Sequence, residues 1–114
     1  MTRDEALEIA LALPGAADHP HVDRVAVRAG KGRIFATFGA AGDMNVRLTA
    51  DEQTLFAESA PGVVGAVAGG WGRQGWTRVE LAAADAALVR SLLDAAWRGA
   101  APKRLLAANP PPRG

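Results

Sequence analysis

The 114-residue sequence contains no cysteine, which removes disulfides, thiolate catalysis and zinc-finger chemistry together. It also has no long apolar run. Gly, Pro or a charge cuts every greasy stretch short of the ~20 residues that cross a bilayer. The opening MTRDEALEIALAL lacks the basic, apolar, small-residue order of a secretory leader, so a cytoplasmic protein is expected. Net charge is only +1, too little by itself to indicate a polyanionic partner. Neither His19 nor His21 has a nucleophile in view, and no glycine-rich loop joins a strand to a helix. No enzyme is therefore expected, and no cofactor is implied.

What remains is an ordinary globular composition, 49% apolar and 22% charged, long enough for one core. A single domain is expected over residues 1–108, with 109–114 as a Pro-rich tail. Thr2-Arg3-Asp4-Glu5 reads as a capping box, and the spacing of Ala6, Ile9, Ala10 and Leu13 predicts a helix over 3–13, closed by Pro14-Gly15. His19-Pro20-His21 falls in a connector, where two solvated histidines and no metal are the reading. From residue 22 the period becomes two, with a hairpin through Gly30-Lys31-Gly32 and a third strand over 44–48. A second capping box at Thr49 predicts a helix over 50–59. Residues 63–70 read as loop plus a short strand, 76–81 as a strand, 83–98 as the last long helix, and Pro102 opens a final short one. The order predicts an α+β fold: a two-layer sandwich with N- and C-terminal helices on one face of an antiparallel sheet.

Strand parity then sorts the side chains. Val25, Val27, Ala29, Ile34, Ala36, Phe38, Met44, Val46, Leu48, Thr77, Val79 and Leu81 make the inward set. The outward set holds Arg24, Arg28, Arg33, Arg47 and Arg78, with Phe35, Trp76, Thr37, Asn45 and Glu80. Five arginines thus share a face with one glutamate, while the helices carry most acids. Residues 1–58 sum to −3 and residues 59–114 to +4. Arginines among aromatics on an open sheet suit phosphate contact and base stacking. An exposed sheet face needs polar residues in any case, so a plain solvated face and a protein-interaction surface stand beside that reading. The candidate nucleic-acid contacts are Arg24, Arg28, Arg33, Phe35, Arg47, Trp76 and Arg78, with Arg73, Lys103 and Arg104 at the rim.

Several segments carry a resemblance. They are Leu13-Pro14-Gly15, Gly30-Lys31-Gly32-Arg33-Ile34-Phe35-Ala36, Val46-Arg47-Leu48 and Pro61-Gly62-Val63. Trp71-Gly72-Arg73-Gln74-Gly75-Trp76-Thr77-Arg78-Val79, Trp97 and Ala101-Pro102-Lys103-Arg104-Leu105 complete it. Over roughly 5–107 the chain resembles the MmcQ/YjbR family of small bacterial proteins, usually described as DNA-binding. The resemblance implies a frataxin-like "double wing" fold, contact with DNA through phosphates, and no catalytic motif. Arg47 stands where the family often has Lys, which keeps the charge. Ala96-Trp97 stands where it often has a serine-tyrosine pair, so no hydroxyl acts there. Iron handling, another use of the frataxin fold, needs a denser carboxylate ridge than Asp4, Glu5 and Glu8 offer.

Overall fold

The computed structural model describes residues 1–21 and 23–110; the end of the Pro-rich tail, 111–114, lies outside them. Thr2 caps α1 (Arg3–Leu11): its hydroxyl accepts from the Glu5 N–H, and the Glu5 carboxylate accepts from the Thr2 N–H at 2.9 Å. That backbone bond, and then the Thr2 hydroxyl, hold the Glu5 carboxyl below its ordinary value of 4.5. Thr49 and Glu52 repeat the arrangement at α2 (Ala50–Ser59), and Asp85 caps α4 (Ala86–Ala100). The described residues also form two short α-helices, α3 (Gly70–Arg73) and α5 (Lys103–Ala108), and a single 3-10 turn at Leu81–Ala83.

Six strands form one antiparallel sheet: β1 (Ala16–His21), β2 (Arg24–Ala29), β3 (Ile34–Gly39), β4 (Asp43–Arg47), β5 (Val64–Ala66) and β6 (Trp76–Glu80). Their order across the sheet is β1-β2-β3-β4-β6-β5, so β1 and the three-residue β5 are its edges. The histidine connector is therefore a strand, running beside β2 from Ala16–Ala29 to His21–Arg24. Its lack of apolar alternation follows from its place at an edge, where Pro20 can also be tolerated.

Helices α1 and α4 pack on one face of β2, β3 and β4 and enclose Val27, Phe38, Met44, Val46, Val79, Leu92, Leu93 and Trp97. Trp97 satisfies its buried indole N–H on the Pro14 carbonyl at 2.9 Å. Helix α2 covers the same side near β5, where the Gln53 amide lies 3.0 Å from Thr77 Oγ1, 3.1 Å from Gly72 O and 3.2 Å from Trp76 O. One side chain thus fastens α3 and β6 to α2. No helix of the described residues is long and apolar enough to cross a membrane.

The alternation read from sequence holds along β4 and β6 and fails once. Val27 pairs with Ala36, but Arg28 pairs with Ile34, so Phe35 is an extra residue in β3. This β-bulge puts Phe35 and Ala36 both on the helix side and turns Ile34 outward. Phe35 is a core residue with 0% exposure, so it is no candidate for stacking. Ile34, expected inside, belongs to the open face.

Candidate nucleic-acid interface

The sheet face away from α1, α2 and α4 is ordered by strand register into three rows. Arg28 pairs with Ile34 and Arg47 with Trp76; these two pairs make the first row. The second runs His19, Ala26, Thr37, Asn45, Arg78 and Gly65. In the third, Arg24 pairs with Gly39 and Asp43 with Glu80.

Charge is unequal among these rows. In the third, Arg24 donates to Asp43 Oδ2 at 2.9 Å, to Thr37 Oγ1 at 3.0 Å and to the Thr37 carbonyl at 3.3 Å. Gly39 lies beneath this pair; a Cβ there would strike both Asp43 Oδ1 and Arg24 Nη1. Arg78 approaches Glu80 to 3.5 Å with both side chains largely exposed, an ion pair contributing little. The sequence reading missed Asp43 as a member of this face because it began the third strand one residue later, at Met44. Arg24 is thereby a structural cation, neutralised in place.

The first row has no acid. Arg28 is exposed and has no carboxylate partner among the described residues, and Arg47 donates only to the Gln74 carbonyl at 3.3 Å. Arg73, exposed on α3, likewise has no partner among the described residues. Arg33 lies off the ladder, in the β2–β3 turn, rather than on the open face. With Arg47 it borders a cleft of about 210 Å³ closed by Thr49, Glu52, Gln74 and the end of α4 at Ala96, Gly99 and Ala100. Lys103 and Arg104 are exposed on α5, which begins beside Gly32 of that same turn and seats Leu105 against Gly15 and Gly30. The predicted cations thus divide: Arg28 and Arg47 share a row, Arg33, Lys103 and Arg104 continue it round the end of the sheet, and Arg24 and Arg78 are paired.

Across the middle of the face runs a groove of about 340 Å³ lined by Arg24, Ala26, Ile34, Thr37, Asn45, Val67, Trp71 and Trp76. Trp76 is half-buried in it, as its place on the polar side of β6 requires. Trp71, which parity reasoning could not place because it lies outside the strands, is 63% exposed at the wall. The signal available for it was a tryptophan between Gly70 and Gly72, with no apolar partner at helical or strand spacing. Two close approaches set this wall. A Cβ on Gly72 would strike the Val67 carbonyl, and one on Gly75, at φ 102°, would strike the Leu48 carbonyl.

Among the described residues no three His, Cys, Asp or Glu side chains gather as metal ligands. The arrangement offers arginines that, among the described residues, form no ion pair (Arg28, Arg47 and Arg73), on a face that also carries aromatic surface. Compared with known proteins, residues 11–99 match the family model described as YjbR. No curated protein and no solved structure matches the chain.

Proposed function

We propose that this chain, which belongs to the YjbR family, binds nucleic acid and performs no chemistry on it. The face that receives the strand is the open side of the sheet. Arg28, Arg47 and Arg73 contact phosphates there, Arg33, Lys103 and Arg104 extend the track, and Trp71 and Trp76 meet bases. The observation that carries this reading is the division of the arginines: those in the first row are left without acids, while Arg24 is neutralised by Asp43. A face needing only solubility would not gather its unpaired cations beside two indoles. Phosphate neutralisation and base stacking use those two ingredients together.

Fluorescence anisotropy with labelled DNA, titrated over a series of salt concentrations, tests this. Affinity should fall steeply with salt, and the combined variant Arg28→Glu, Arg33→Glu, Arg47→Glu should lose binding while retaining a wild-type melting transition. Salt-independent association between about 50 and about 200 mM would overturn the proposal and leave the face to a protein partner.

A further inference from the structure

We infer that the cleft between the β2–β3 turn, the start of α2 and the end of α4 holds the terminal phosphate of a nucleic-acid strand; this rests on the reading of the open face as a nucleic-acid surface. Arg33 and Arg47 both line it, and neither forms an ion pair among the described residues. Arg47 also belongs to the first row of the face, opposite Trp76, so the cleft is where that row ends. At about 210 Å³ it falls below the ~300 Å³ at which ordinary ligand pockets begin, with room for a phosphate group but not for a whole nucleotide. An internal phosphate needs a way out for the chain on either side, and a terminal one does not. As a monoester the terminal group also carries about two negative charges, where a diester carries about one. Guanidiniums are the side chains best matched to the oxygens of such a group.

The acceptors that line the cleft are already engaged. Its one carboxylate, Glu52, accepts from the Thr49 N–H at 2.9 Å in the cap of α2. The Ala100 carbonyl accepts from the Arg33 N–H at 3.3 Å, and the Gln74 carbonyl accepts from Arg47 Nε at 3.3 Å. These bonds anchor both arginines and leave their charge for a ligand. The second observation is Gly99. A glycine within a helix is disfavoured against alanine, and packing does not call for one here, because a Cβ would meet no atom within 4 Å. Gly99 lines the cleft, so what its missing side chain provides is the open space itself.

The experiment uses internally labelled single strands of about twelve nucleotides that end in a 5′-phosphate, a 3′-phosphate or hydroxyls only, beside a hydroxyl-ended duplex of the same length, by anisotropy at one salt concentration. At least one phosphorylated strand should bind roughly tenfold more tightly than the hydroxyl-ended one, and the end that gains shows which way the strand lies. Arg33→Gln, a change on an exposed turn, should remove most of that gain. Gly99→Leu fills the cleft from a position with free space at its Cβ. It should remove the gain as well, with the hydroxyl-ended strand bound as by wild type and the melting transition no lower. Equal affinity for the three single strands, or a Gly99→Leu variant that keeps the gain, overturns the cleft as the site. Salt-dependent binding without a preference for phosphorylated ends would still leave the broader proposal standing, whereas failure of wild type to bind any of the four DNAs would sink both.

Discussion

Replacing Arg28 and Arg47 together by Gln should change the salt dependence of binding without unfolding the protein, whereas replacing Arg24 should do the opposite. For a single strand, each phosphate contact contributes about 0.7 to the slope of log K against log salt. Four contacts, from Arg28, Arg33, Arg47 and Arg73, give a slope of about −3, or roughly fiftyfold weaker binding when salt rises fourfold. Removing two of the four should flatten the slope to about −1.4. Both replaced guanidiniums lack a carboxylate partner among the described residues, so the melting transition should barely move. Arg24 is the control, because its three hydrogen bonds end on Asp43 and Thr37. Arg24→Gln strands a carboxylate only 16% exposed and should lower stability by about 1–3 kcal/mol with the slope intact. Anisotropy titrations at several salt concentrations, paired with urea melts, read both quantities. If Arg24→Gln flattened the slope as much as the double variant, or the double variant left it alone, the division into structural and binding arginines would be wrong.

Other consequences are accessible to simpler measurements. Phe35→Ala should destabilise the fold by about 3–5 kcal/mol in a denaturant titration, as expected for a large side chain removed from a core; a surface residue would give almost nothing. Thr49→Ala removes the hydroxyl that accepts from the Glu52 N–H and should lower stability by about 1 kcal/mol, with Thr49→Ser restoring most of it. Glu5 has its pKa lowered in the folded state, so its contribution to stability is present above the unfolded value of 4.5 and disappears as pH falls through the lower folded value. Thermal melts should therefore show Thr2→Ala narrowing its gap to wild type as the solution is acidified below that point. An unchanged gap would mean that the first capping box contributes nothing through charge.

The elements with a strong period or a chemical start signal were legible in the sequence. Thr2 and Thr49 identified two helix starts, and Met44-Asn45-Val46 and Thr77-Arg78-Val79 identified which side of β4 and β6 meets the helices. Phe35 was not, because a bulge is a property of a strand pair. Nothing in Arg33-Ile34-Phe35-Ala36 reveals that Arg28 will sit opposite Ile34. Strand β1 was hidden for another reason: an edge strand beside an open face has no need of alternating apolar residues. At the site, the outward arginines of β2, β4 and β6 were readable from parity, but their neutralisation was not. That depended on Asp43 entering the sheet and on Gly39 leaving room above it.

The two borders of the sheet bear on how copies of this protein behave in a crowded solution. A strand with one free side is a template on which another chain can add itself, and such additions propagate into aggregates. Here β1 carries Pro20, which has no N–H to donate to a newcomer, and β5 offers only Val64-Gly65-Ala66, too short for a stable ladder. Side-by-side polymerisation is thus discouraged at each margin, and the broad surface between them stays available for a visiting molecule.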